Sequence, residues 1–420
     1  MLRIYGRGYR LFSTSSARNA PRVAVIGSGP AGLFTCAGLL RRAPTAVIDV
    51  LDAAPVPFGL VRYGVAPDHQ EVKNCINGFE KIFNDHPTQM NLFSYGAHRP
   101  RRLEVPGAEA KNVISGSDFV SWYNGVPNAS PPVLDGKNVV IIGNGNVALD
   151  CARILSSVEN LASTDIPEEP LAVLEKSKVS NITLVGRRGP ENVSFTIKEL
   201  REQFKIKSWS SIVALREEEK AGLVKSLDVK RKKRMFQILL DNIGHEAKAE
   251  KNCRFIFNHV PIEVFRDENG RVKSVRFLDK ITGKKEDLAC ELLIYSIGYN
   301  HIVLEGLPTN DKGALRLCDD CRVDFDPAPT FAAGWCAQGP HGVIVDTQQQ
   351  SMTVAQRIAE ILPNRPETSP GVTPLLESRG VRFITWKEWL AIDEEERRNG
   401  QQRGKVREKI MKFEPLLKKK

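Results

Sequence analysis

GNGNVALD, residues 143–150, follows the apolar run NVVII at 138–142 and opens a helical pattern. Strand, tight glycine turn and helix, in that order, are the parts of a dinucleotide-binding unit. An earlier stretch, RVAVIGSGPAGLFTCAGLLRR (22–42), repeats this grammar around GSGPAG at 27–32. There Gly27 permits the turn and Gly29 lets a pyrophosphate approach the backbone. Gly32 allows the helix to pack closely on the strand, and Pro30 and Ala31 lie at the helix start facing the phosphate charge. A second strand, AVIDVLD, ends at Asp52, about twenty residues on, where a carboxylate suits ribose hydroxyls. Two such units in one chain predict an α/β protein with two Rossmann-like dinucleotide-binding domains.

Length and composition set the bounds. The chain has 420 residues, enough for two or three domains with a core in each. Its 41% apolar content is that of an ordinary globular protein. No run approaches the roughly 18 apolar residues of a membrane span. The eight cysteines lack a framework spacing, which argues for free thiols in a reducing compartment. Cys318 and Cys321 form the single C-x-x-C; it reads as ordinary thiols, with a redox or zinc role as the alternative, and no metal site is expected.

The first twenty residues, MLRIYGRGYRLFSTSSARNA, hold Arg3, Arg7, Arg10 and Arg18, several hydroxyl residues and no acid. The first acid in the chain is Asp49. That composition predicts a mitochondrial transit peptide over 1–20, a disordered basic tail being the alternative. Further on, PFGLVRYGVAPDHQEVKN (57–74) reads as a long irregular loop that runs into a helix at about Glu71 and covers a ligand. Asp68 and His69 are its polar groups of interest; Asp68 as a simple helix cap is the competing reading.

That last stretch resembles the signature of the adrenodoxin reductase family, the mitochondrial NADPH–ferredoxin reductases. Further matches follow in the family's order: FVSWYNGVP (119–127), IIGNGNVALDCARIL (141–155), LVGRRGP (184–190), FTIKELRE (195–202), IYSIGYN (294–300), GPHGVI (339–344) and LLESRGVRFITWKEW (375–389). The resemblance implies an FAD-binding domain at 21–104 and 300–420, with an NADP-binding domain at 105–299 inserted in it. It assigns FAD to the first glycine turn with Asp52, and to Leu60, Trp335, Gly342, Val343 and Ile344. It assigns NADPH to Asn144, Gly145, Asn146, Val147, Arg187, Arg188, Glu199 and Gly342. Residue chemistry agrees: the 2′-phosphate that distinguishes NADPH from NADH needs cations, and ITLVGRR ends in two arginines. Solvated surface charge remains the alternative for those arginines, and core packing for Trp335.

The implied activity is electron transfer from NADPH through FAD, one electron at a time, to an acidic [2Fe-2S] ferredoxin. Asp68, His69 and Asp150, the candidate catalytic groups, are expected to form a polar network at the domain interface. P450 hydroxylation and iron–sulfur or haem synthesis are the pathways such a reductase feeds in the family. The formal net charge of +10 and the run VKRKKRM (229–235) suit an acidic carrier. Matching basic residues bind the ferredoxin in the family, which points to Lys230, Arg231, Lys233 and Arg234. A single run without interleaved aromatics does not favour nucleic acid. The protein is expected to be a monomer in the mitochondrial matrix, at most peripheral on the inner membrane.

Two further expectations concern the FAD part. TFAAGWCAQGPHGVIVDTQQQSMTVAQRIAEIL (330–362) reads strand, loop, helix. INGFEKIFNDHPTQMNLFSYGAHRP (76–100) runs almost directly from a helix to SYGA at 94–97, where the family has an additional strand and short helix. The shortening leaves a truncated isoform with impaired FAD binding as one alternative function. A different NADPH-dependent FAD oxidoreductase is another.

Overall fold

The computed structural model describes residues 20–85, 99–228, 232–244, 249–301, 303–319, 321–325, 329–340, 342, 344–362, 371–381 and 383–413. The leader at 1–19, SYGA at 94–97, Lys230, Arg231 and Val343 lie outside the described residues.

Strand β1 (Arg22–Ile26) leads through the first glycine turn into α1 (Pro30–Arg42), and the chain returns as β2 (Val47–Leu51). β1 and β2 pair in parallel, Arg22 opposite Val47 and Ile26 opposite Leu51. Next come three short helices, α2 (Gly59–Tyr63), α3 (Gln70–Lys73) and α4 (Cys75–Asp85). The stretch at 57–74 is therefore not the single irregular loop expected. Phe58 takes a left-handed φ of 82°, turns the chain into α2, and is buried with Phe79, Trp386 and Trp389. That aromatic contact holds an unfavourable backbone conformation in place. The helix expected at Glu71 begins at Gln70.

The short β3 (Arg99–Pro100) is followed by β4 (Val113–Ser115), α5 (Gly116–Tyr123), β5 (Asn138–Ile142), α6 (Asn146–Ser156), α7 (Glu168–Glu175) and β6 (Asn181–Val185). Then come α8 (Ile197–Phe204), β7 (Ser210–Val213), α9 (Glu217–Lys225), α10 (Lys233–Asp241) and β8 (Asn252–Ile256). Three antiparallel strands, β9 (His259–Arg266), β10 (Val272–Asp279) and β11 (Lys285–Ala289), precede β12 (Leu292–Tyr295). β12 joins a six-stranded sheet of order β4-β12-β5-β6-β8-β7, parallel at every pairing.

Parallel strands are covered on both faces, so their residues are apolar almost throughout. β5 is NVVII, with Val139, Val140, Ile141 and Ile142 all buried. One face packs on the helices through Leu149, Ala152, Leu184, Leu200 and Phe255. The other packs on the β9–β11 meander through Val140, Ile142, Val185, Val264, Val275 and Phe277.

The chain crosses back at β13 (Tyr299–Asn300), which pairs antiparallel with β3, Tyr299 opposite Pro100. Four helices follow: α11 (Trp335–Gln338), α12 (Ile344–Ile361), α13 (Thr373–Ser378) and α14 (Trp386–Gln401). The strand expected at the head of 330–362 does not form. Its backbone folds back locally: Val323 N–H donates to Thr330 O, and Ala332 N–H to Cys321 O. α12 packs along α1, with Val354, Ala355 and Ile358 buried among Cys36, Leu39 and Leu40. At that crossing an added Cβ on Gly38 would lie 2.6 Å from the Ala355 Cβ, so a glycine is required there.

Candidate functional site

The two glycine turns have the same construction. After β1, Gly27 (φ 110°) bends the chain and its N–H donates to Leu51 O at 2.6 Å. Gly29 is the N-cap of α1, with no side-chain cap and no acid in the first turn. After β5, Gly143 (φ 139°) bends the chain and its N–H donates to Val185 O. Gly145 is the N-cap of α6, again without a side-chain cap or an acid. Both helices therefore begin with N–H groups that their own side chains leave unsatisfied, at the positive end of the helix dipole. A Cβ added at Gly29 or at Gly145 would meet nothing within 4 Å, so each turn borders open space. Open space next to N–H groups at a helix start is what a phosphate requires.

Around the first turn, Asp52 holds the backbone in place. Its Oδ2 accepts from Ser28 N–H and Oγ–H, both at 2.6 Å, and its Oδ1 from Ala54 N–H at 2.8 Å. Ala31 and Gly32 are buried at the start of α1. Leu60 sits in α2, whose Gly59 approaches Gly29. From the far end of the chain, Gly334 (φ 69°) comes so near that an added Cβ would lie 2.6 Å from the Ala31 Cβ. Trp335 follows it and packs at 5.9 Å from the Tyr299 ring. Gly342 (φ 82°) and Ile344 lie at the start of α12, and further along that helix Ser351 Oγ–H donates to Ala31 O. Residues separated by more than 300 positions thus meet at the first glycine turn.

Around the second turn, Asn146 Oδ1 accepts from Thr196 N–H at 2.7 Å, and Asn144 O from Ser194 N–H at 2.9 Å. The Asn144 Oδ1 atom is buried without a hydrogen-bond partner, a polar group left over in the cradle. Val147 is half-buried and Ala148 fully so, which accounts for the small residue in place of a third glycine. Arg187 and Arg188 leave the end of β6 exposed, and among the described residues neither has an ion-pair partner.

Asp68, His69, Asp150 and Glu199 come together around a residue that sequence reading missed. Arg153, on α6 and nearly fully buried, donates to Asp68 through Nε (2.6 Å) and Nη2 (3.1 Å). Its Nη1 donates to Glu199 Oε2 at 2.8 Å, and its Nη2 lies 2.7 Å from Asp150. His69 Nε2 is 2.7 Å from Glu202. The signal was present in VALDCARIL, where an arginine interrupts the buried face of a helix three residues after Asp150. Asp68 is no helix cap: α3 begins after His69 without a side-chain cap, because the Asp68 carboxylate is turned on to Arg153.

The cluster is electrostatically uneven. Burial acts to raise the Asp68 carboxyl, but the hydrogen bonds and charge of Arg153 outweigh it and hold it below the usual range. Glu199 goes the other way. Burial, then the Asp150 charge, push it up to about 8. A guanidinium in the middle of these carboxylates makes His69, Asp150 and Glu199 poor metal ligands, although their ligand atoms converge.

Residues 87–359 match the pyridine nucleotide-disulphide oxidoreductase family. The mitochondrial NADPH:adrenodoxin oxidoreductase of Drosophila melanogaster is 35% identical over 463 aligned positions, covering 99% of this chain and 98% of the fly protein. The chain belongs to the adrenodoxin reductase family. The human relative of the same name is 36% identical over 96% of this chain and 92% of its own length. The solved structure of FprA from Mycobacterium tuberculosis in complex with NADPH superposes with a TM-score of 0.85 at 30% identity, covering 95% of this chain and 99% of that one. The chain is accordingly an FAD-dependent oxidoreductase with NADPH as its second nucleotide. Both cradles fit such groups by their open glycine caps and acid-free helix starts. The fly alignment has 463 positions against 420 residues here, so at least 43 of its positions are gaps in this chain.

Proposed function

We propose that this chain moves electrons from NADPH by way of FAD to an acidic [2Fe-2S] ferredoxin in the mitochondrion. FAD is assigned to the Gly27–Gly32 cradle in residues 21–104 and 300–420, and NADPH to the Gly143–Val147 cradle in residues 105–299. The observation that carries the assignment is the contrast at the two second strands. After the first turn that strand ends in Asp52, turned inward to brace the loop. After the second it ends in Arg187 and Arg188, both exposed. Two guanidinium groups beside a helix start suit a 2′-phosphate dianion.

Bound flavin supplies a two-electron acceptor that releases electrons singly. The protein's own residues do the rest. The helix starts of α1 and α6 receive the pyrophosphates, and Arg187 and Arg188 select the phosphorylated ribose. The Arg153 cluster locks the 67–70 segment against α6 and α8, so the two cradles keep a fixed relation. Lys233 and Arg234 stand exposed in the first turn of α10, the wrong end of a helix for cations, so helix stability does not account for them. An acidic partner does. The Arg-rich leader and the mitochondrial relatives support the location. Among the described residues no helix is long and apolar enough to cross a membrane.

The decisive experiment is a visible spectrum of residues 21–420 followed by turnover. A yellow protein that reduces cytochrome c with NADPH only when ferredoxin is added is the expected result. A colourless protein that takes up no FAD on reconstitution overturns the reading. Replacing Arg187 and Arg188 by Gln is expected to raise KM for NADPH far more than for NADH; equal losses overturn the 2′-phosphate assignment. Charge reversal at Lys233 and Arg234 is expected to slow reduction of ferredoxin, with the loss fading at high salt.

A further inference from the structure

Arg187 and Arg188 are exposed side chains on a strand end, and exposed arginines select a phosphate only if their backbone is held still. Asn258 and His259, the second and third residues after β8, do the holding. Gly186 N–H donates to Ile256 O at 2.9 Å, continuing the β6–β8 ladder by one step. The ladder then skips a residue: His259 N–H donates to Gly186 O at 3.0 Å and Asn258 N–H to Arg188 O at 3.3 Å. The carbonyls on either side of Arg187 are thus both occupied from a single turn, Asn258–His259.

That turn is itself strongly determined. Asn258 has φ 58°, the left-handed conformation that asparagine tolerates and branched residues do not. Its carbonyl accepts from Lys280 N–H at 2.8 Å. Its side-chain Nδ2 donates to Glu219 Oε1 at 2.8 Å, and the other oxygen of Glu219 accepts from Arg216 N–H at 3.0 Å. The Arg216 guanidinium in turn forks on to the fully buried Asp279 at 2.9 and 2.7 Å, next to Lys280. A chain of polar contacts therefore runs from Asn258 through Glu219 and Arg216 to Asp279, and the next residue, Lys280, closes it through its N–H on Asn258 O. It joins the start of α9 and the β10–β11 corner to the strand end that carries the two arginines.

We propose that Asn258 is a positioning residue for 2′-phosphate selection: its turn fixes the backbone of Arg187 and Arg188, and so sets the preference for phosphorylated over plain ribose. The inference rests on the assignment of NADPH to the second cradle. Asn258→Val is incompatible with φ 58° and disturbs the bracket on Arg188. Asn258→Gly keeps the left-handed turn and removes only the tie to Glu219. His259 is left untouched, since its ring Nδ1 is engaged with Phe257 O at 2.5 Å inside the fold.

The test is calorimetric titration of the full chain with 2′,5′-ADP and with 5′-AMP, which reads the phosphate preference without turnover. Asn258→Val is expected to lose about tenfold of the preference for 2′,5′-ADP, Asn258→Gly a smaller part, and Arg188→Gln more than either. Melting temperature and visible spectrum establish that each variant is folded, and Asn258→Gly serves if Asn258→Val is not. In steady state the Asn258 variants are expected to raise KM for NADPH with kcat nearly unchanged. If Arg188→Gln loses the preference while folded Asn258 variants keep it in full, the positioning inference is overturned and the NADPH assignment stands. If Arg188→Gln also keeps it, the assignment fails and this inference falls with it.

Discussion

Arg153 of α6 reaches across to Asp68 with two hydrogen bonds, 2.6 Å from Nε and 3.1 Å from Nη2. One residue belongs to the helix that starts at the second glycine turn. The other lies nine residues after Gly59, which approaches Gly29 of the first turn. The contact therefore ties the Asp68 segment to α6, and the guanidinium also lies against Asp150 and Glu199.

Replacing Arg153 by Ala leaves the Asp68 carboxylate and its acidic neighbours without their cation in a largely buried site. Breaking a buried ion pair from one side costs about 3–5 kcal/mol. Urea unfolding of Arg153→Ala is expected to show a loss of that order, and Arg153→Lys, which cannot fork, an intermediate one. A loss under about 1 kcal/mol for Ala, the level of an exposed pair, would remove Arg153 from its central role.

Glu199 makes stability fall with pH. Its carboxyl stands near 8 in the folded protein against an ordinary value of 4.5. Between those values the folded chain holds a proton that the unfolded chain has lost. The contribution of this group is thus fully present below 4.5 and is lost as pH rises through 8. Glu199→Gln mimics the protonated form at all pH. Relative to the wild type it is expected to gain stability steadily from pH 5 to pH 8, read from denaturant midpoints at each pH. A difference that does not vary with pH would contradict this.

Lys409 acts in the opposite sense. It is buried, donates to Asp165 at 3.0 Å and to the carbonyls of Arg62 and Asn124, and shares Asp165 with Lys73. Burial, only partly offset by Asp165, pushes it down to about 7 from 10.5. The unfolded chain keeps this proton up to 10.5, so the contribution is present above that value and is lost as pH falls through 7. Wild-type stability is expected to carry a rising component between pH 7 and the onset of alkaline unfolding, and Lys409→Met is expected to flatten it.

The two glycines of the second turn separate folding from binding. At Gly143 (φ 139°) an added Cβ would lie 2.3 Å from Ser296 O, so Gly143→Ala is expected to destabilise by about 1–3 kcal/mol. At Gly145 the backbone is extended and the added methyl meets open space. Gly145→Ala is expected to cost at most about 1 kcal/mol as a poorer N-cap, yet to weaken binding of 2′,5′-ADP about tenfold or more by filling the cradle. Melting curves and calorimetry on the same two variants check this, and unimpaired binding by Gly145→Ala would move the phosphate elsewhere.

By itself the sequence determined the two βα units, because a glycine turn between an apolar strand and an amphipathic helix is a local pattern. GSGPAG and GNGNVALD could be located, and Asp52 set against Arg187 and Arg188, without any long-range contact. The family likewise followed from motifs in order. Other features depended on contacts between distant segments. The strand expected at TFAAG gave way to a local fold-back on Cys321 and Val323, since strand formation depends on which edge is available. The choice between polar network and helix cap for Asp68 was open in the sequence, because Arg153 lies 85 positions away in sequence and 2.6 Å away in space. Burial and neighbouring charge, set only by tertiary packing, raised Glu199 and lowered Lys409. Likewise, only the tertiary structure brought Asn258 to the carbonyl of Arg188, because a residue at a strand end acquires its neighbours from strands paired across the sheet.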